Sequence, residues 1–180
     1  MDDLYHRSRL PDSLRVLLEQ YPRDIWQSHR HFDGLTRFWL ERHLMFRRAL
    51  AQWQDDTRLF LDKAREAQAH GQMTSRIGGF LINELHGHHH IEDAHYFPVL
   101  SAAETRLVRG FEVLDADHQT LDGELSALTE SANSHLRTLS KESAGAMLAR
   151  LDGFERFLDR HLVDEEELVV PVILHHALRF

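Results

Sequence analysis

Histidine is over-represented in this chain, 15 of 180 residues, and cysteine is absent. Thiolate zinc sites, cysteine-ligated iron–sulfur clusters, disulfide frameworks and cysteine nucleophiles are therefore excluded. The donors open to a cation are imidazole nitrogen and carboxylate oxygen. Two segments bearing them align without a gap, 88–98 and 161–171, each reading His-x-x-x-Glu-acid and then, after four residues, Pro. The pairs are His88 with Glu92 and His161 with Glu165. Upstream of each lies one histidine in an apolar frame: His43 with Phe38, Trp39, Phe46 and Leu50, and His118 with Val113, Leu114, Leu121 and Leu125 at the same offsets. His43 precedes His88 by 45 residues and His118 precedes His161 by 43. Each half of the chain thus reads as one helical hairpin that offers His from its first helix and His-x-x-x-Glu from its second. His29 is a rival to His43, since His29-Arg30-His31-Phe32-Asp33-Gly34 resembles the segment after His118, but it lies 59 residues before His88 and fails the interval.

Side chains at i and i+4 of a helix share a face, so each His–Glu pair can chelate one cation. Leu81, Leu85 and Val99 flank the first pair, and Phe154, Phe157, Leu158 and Leu168 the second, which turns both into the interior. Burying four imidazoles and two carboxylates without compensation would exceed the roughly 5–15 kcal/mol that holds a domain together. A bound cation compensates directly, because neutral imidazole and ionised carboxylate are the ligand forms and a carboxylate can bridge two metals. This donor set suits iron, manganese, cobalt or zinc, with iron favoured, and six ligands from four helices fit a dinuclear centre with positions left for a small ligand. A ferritin-type site expects Glu-x-x-His on two helices. Glu92 to His95 supplies it once, but Leu168 stands where the second histidine should be.

The elements that must position these groups are helices. Apolar residues recur every three or four positions, and no strand alternation is sustained. Breaks near 70–74, 101–110 and 131–143 leave helices expected at 34–69, 74–100, 104–134 and 143–170, with an N-terminal arm (residues 1–33) and an extension after Pro171. Helices of about 30 residues run about 45 Å, the proportions of an antiparallel up-down-up-down four-helix bundle. The fold class expected is all-α, with residues 34–180 forming the metal-binding domain and the whole chain a single domain. The arm either caps the bundle or mediates a homodimer. A net charge of −8 and a pI near 6.0 argue against nucleic-acid binding. The lack of a signal-peptide core and of any long apolar run points to a cytoplasmic protein without membrane contact.

The sequence resembles the hemerythrin-like HHE cation-binding family over about residues 34–175, on His43, His88-x-x-x-Glu92-Asp93 with Phe97-Pro98, His118, and His161-x-x-x-Glu165-Glu166 with Pro171. The resemblance implies a non-haem di-iron centre in which His43, His88, His118 and His161 are terminal ligands and Glu92 and Glu165 bridge. It implies binding of, or reaction with, a small ligand such as O2, NO or peroxide, as sensor, store or detoxifier. Iron-centre repair, peroxide decomposition and redox-inert cation binding are the alternatives. Oxygen-carrying members have a second histidine four residues beyond the third-helix ligand and an aspartate five beyond the fourth-helix one. Here those positions hold Asp122 and Glu166, which makes Asp122 a candidate extra ligand. Of the remaining histidines, His86, His89 and His90 read as lying on other faces of their helix. His95 and Glu84 read as neighbours of the ligands. His70, His135, His175 and His176 read as surface groups near breaks. Trp39, Phe46, Phe80 and Phe157 read as core aromatics that could wall a small-ligand pocket.

Overall fold

A computed structural model describes residues 3–180. It is all-α, and no strand occurs among the described residues. The α-helices are α1 (Val16–Gln20), α2 (Gly34–Leu61), α3 (Ala67–Ile91), α4 (Phe97–Ala103), α5 (Val108–Thr138) and α6 (Lys141–His176). A π-helical turn, Glu92–Tyr96, joins α3 to α4 without interruption, and short 3-10 turns lie at Asp12–Leu14, Arg23–Ser28 and Thr105–Leu107. Among the described residues no helix is long and apolar enough to cross a membrane.

The helix ends explain where sequence and structure part. Asp33 caps α2, its Oδ1 accepting from Thr36 N and Thr36 Oγ1, both at 2.8 Å. That helix stops at Leu61 rather than continuing to 69. Lys63 turns left-handed at φ 61°, and Ala64 N–H donates back to Leu59 O at 2.8 Å. Glycine usually fills such a position, so the sequence gives no sign of it, and Gly71, read as a break, sits inside α3. Leu139 and Ala177 end α5 and α6 in the same conformation. Pro171 does not end α6, which runs on to His176. Proline interrupts the hydrogen-bond ladder there, yet every residue from Leu168 to Leu174 is buried, and that burial holds the last turns helical.

The chain divides into two compact units. The first comprises residues up to His43, His89–Thr120 and Asp159–Phe180. Its core gathers Trp39, Phe97, Leu100, Phe111, Leu114, Leu168 and Val170, and the arm adds Leu10, Leu14, Leu17 and Trp26. Gly110 lets α5 approach α6 closely, since a Cβ there would fall 2.8 Å from Leu168 Cδ2. The second unit comprises Leu44–His88 and Leu121–Leu158. Phe46, Leu50, Trp53, Leu81, Leu85, Leu125, Leu151 and Phe154 are buried in it. Phe38, Phe80 and Val99, placed on interior stripes from their spacing, are exposed instead.

Candidate metal centre

In the first unit, α2 supplies His43, the π turn Glu92, α5 His118, and α6 both His161 and Glu165. All five are buried. His43, Glu92 and Glu165 each bring a ligand atom within 4.8 Å of one another, with His43 Nε2 at 3.4 Å from Glu165 Oε2. His161 Nε2 stands 3.6 Å from the same Glu165 oxygen, and His118 Nε2 stands 3.8 Å from Glu92 Oε2. His88 belongs to the second unit and ends its first segment. It is buried, packed 5.0 Å from the Phe46 ring, and one turn before Glu92 on the unbroken run from α3 into the π turn.

The outer nitrogens of the histidines meet carboxylates in a repeating way. The acid following Glu92 in the first motif, Asp93, takes His118 Nδ1 at 2.8 Å. The acid following Glu165 in the second motif, Glu166, takes His43 Nδ1 at 3.0 Å. Each motif's second acid thus grips the histidine contributed by the other hairpin's first helix. Asp117 faces His161 Nδ1 at 3.4 Å. A carboxylate only accepts, so these contacts place a proton on Nδ1 and turn Nε2 inward, where a ligand atom is needed. Burial, followed by the nearby His118, holds the His161 imidazole well below its ordinary pKa and so neutral.

A cation fits this arrangement on two observations. His118 Nε2 and His161 Nε2 face each other at 3.2 Å, a spacing at which both can reach one cation. Glu165 is fully buried and neither of its oxygens accepts a hydrogen bond. Burial, then the neighbouring carboxylates of Glu92, Glu166 and Asp93, push its carboxyl well above the usual range. Trp39 Nε1 donates to Glu92 Oε1 at 2.6 Å and fixes that carboxylate.

Several groups in this region were not read from the sequence. Arg7 of the arm reaches both Asp117 and Asp164, with Nη1 to Asp117 Oδ1 and Nε to Asp164 Oδ2 each 2.8 Å. Arg23 Nη1 donates to Glu166 Oε2 at 2.7 Å. His89, read as facing elsewhere, is buried against His118, centroids 4.1 Å apart. The acids at 93 and 166 were visible as the shared second acid of the motif. The pairing of Arg7 carried no local signal, because its partners lie 110 and 157 residues away.

Other expectations are corrected. Asp122 is a surface group, its side chain 52% exposed and paired with His86 at 3.1 Å. His95 is exposed, and His29 is half-buried beside Tyr21 and His31. His70 and His135 are not surface groups but fully buried in the second unit. His70 Nδ1 meets Asp56 at 2.6 Å, the two Nε2 atoms meet at 2.8 Å, and His135 Nδ1 meets Ser143 Oγ at 2.7 Å. His175 and His176 are exposed, as their place near the end of α6 leads one to expect.

An all-α chain whose buried histidines and glutamates converge between helices defines a helical cation-binding domain. Residues 34–173 match the model of the hemerythrin HHE cation-binding domain, and the chain belongs to that family. No curated protein and no solved structure matches it significantly.

Proposed function

We propose that this chain holds two cations, iron foremost, through His43, His88, Glu92, His118, His161 and Glu165, with the two glutamates shared between them. We further propose that this non-haem centre binds or reacts with a small diatomic or peroxide ligand. The observation that carries the reading is the 3.2 Å approach of two inward Nε2 atoms whose Nδ1 atoms face carboxylates, beside a buried Glu165 that accepts no hydrogen bond. His88 enters through helix geometry, since it shares a face with Glu92 one turn on. Bound iron would supply redox change and open coordination positions. The protein's part is to keep the His161 imidazole neutral, to orient the histidines through Asp93, Asp117 and Glu166, and to exclude water. An apolar pocket lined by Trp39, Tyr96, Leu100, Val169 and Ile173 lies behind Trp39, whose indole N–H donates to Glu92.

Metal analysis and visible spectroscopy of aerobically purified protein test the reading. Two irons per chain with oxo-to-iron charge-transfer absorption are expected. One zinc per chain and no visible band would replace it with redox-inert cation binding. Peroxide turnover abolished by His88→Ala or Glu165→Ala would turn the role from sensing or storage toward detoxification.

A further inference from the structure

Glu92 has two histidines on its face of the helix. Positions three and four residues back both lie beside a helical side chain, and behind Glu92 they are His89 and His88. Behind Glu165 they are Leu162 and His161, so the two motifs differ at this place by an imidazole against an isobutyl group. His89 is only 3% exposed. Its ring lies over that of His118 with planes 11° apart, and edge-on to His161 at 5.4 Å. His89, His118 and His161 each bring a nitrogen within 4.8 Å of the other two. A cation about 2.1 Å from each imidazole nitrogen sets donors about 3.0 Å apart when cis and about 4.2 Å when trans. The 3.2 Å between His118 and His161 is thus already a cis spacing. His89 lies within 4.8 Å of both.

We infer that His89 is a seventh ligand, taking the same cation as His118 and His161. The inference rests on the two-cation reading above. The third imidazole comes from the second helix of the first hairpin, while the position four residues after His118, Asp122, faces solvent.

The full chain is loaded with ferrous iron under argon, passed over a weak chelator and counted for iron, then loaded with cobalt(II) and read by visible absorption. His89→Ala removes the ring. His89→Phe keeps a ring against His118 but has no nitrogen. We expect wild type and the exposed control His95→Ala to retain two irons, and both His89 variants to retain one with unchanged circular dichroism. The second cation should bind on the order of 100-fold more weakly, and the cobalt spectrum should change. His118→Ala reports on the underlying reading and should also fall below two. If His89→Phe keeps two irons and the wild-type cobalt spectrum while His118→Ala loses iron, His89 is packing alone and the inference fails while the reading stands. If wild type itself retains none, both fail.

Discussion

Arg7 and Asp117 form a buried ion pair, each side chain 3% exposed, and the same Asp117 carboxylate faces Nδ1 of His161. Asp164, gripped by Arg7 and Arg160 together, also accepts from Leu10 N at 3.1 Å. The arm is thereby tied to the groups that orient a candidate ligand. Removing one member of a buried pair strands the other charge. Arg7→Met is expected to cost about 3–5 kcal/mol in urea unfolding. Asp117→Asn should weaken metal retention about 10–100-fold, measured by chelator competition, with a smaller effect on folding.

Cation binding should appear as stability. A ligand that binds only the folded state stabilises it by about 2.7 kcal/mol at a hundredfold excess over its dissociation constant. Chelator-treated protein should melt several degrees lower than protein refilled with ferrous or manganous ion, and Glu165→Ala should abolish the difference. Identical melting temperatures before and after chelation would count against a buried cation site.

The His70–His135 pair and Glu104 give opposite ends of an acid response. Burial, then the neighbouring His70, lowers the pKa of His135 below 6.5 in the folded chain. The unfolded chain therefore takes the proton first, and stability complete above pH 6.5 declines as pH falls below it. Glu104 is held at about 2, first by the Arg106 guanidinium that grips both oxygens, with burial opposing and His176 assisting. Its contribution is present above pH 4.5 and disappears between 4.5 and about 2. Urea midpoints measured against pH should lose the first decline in His135→Gln and the second in Glu104→Gln. A wild-type profile flat from pH 7 to 5 would refute the first.

Three helix ends hold a non-glycine residue at positive φ: Lys63 at 61°, Leu139 at 46° and Ala177 at 52°. Left-handed backbone costs an L-residue about 1–2 kcal/mol that glycine avoids. Lys63→Gly and Ala177→Gly should each raise stability by up to about 1 kcal/mol. Gly78→Ala should do the reverse by about 1–3 kcal/mol, since the new Cβ would fall 2.6 Å from the Trp53 ring. Gly123→Ala, with nothing within 4 Å, gains helix propensity.

These caps also show what the sequence could and could not convey. Periodicity exposed the helices and the twin motifs exposed the histidines and glutamates, because both are written in local spacing. The left-handed turn at Lys63 is closed by backbone hydrogen bonds that carry no side-chain signal, whereas Gly71 looks like a break and lies inside α3. His70 and His135 were judged by nearness to presumed breaks, and once the true turns are known they face inward from α3 and α5. His89 was set aside for standing out of step with His88, although three residues before Glu92 is as near as four. Arg7 was illegible for a different reason: ion pairs across more than a hundred positions leave no trace in spacing.

The π turn at Glu92–Tyr96 corrects the phase of a continuous rod. It holds one residue more than the α-helical course it replaces, and each residue of an α-helix advances the azimuth by about 100°. Excising Ala94 would let a regular spiral run from Ile91 onward. His88 and Glu92 would keep their bearing, but Phe97 and Leu100, both buried, would swing outward. A single surplus residue therefore lets a donor stripe and an oily stripe point the same way along one shaft.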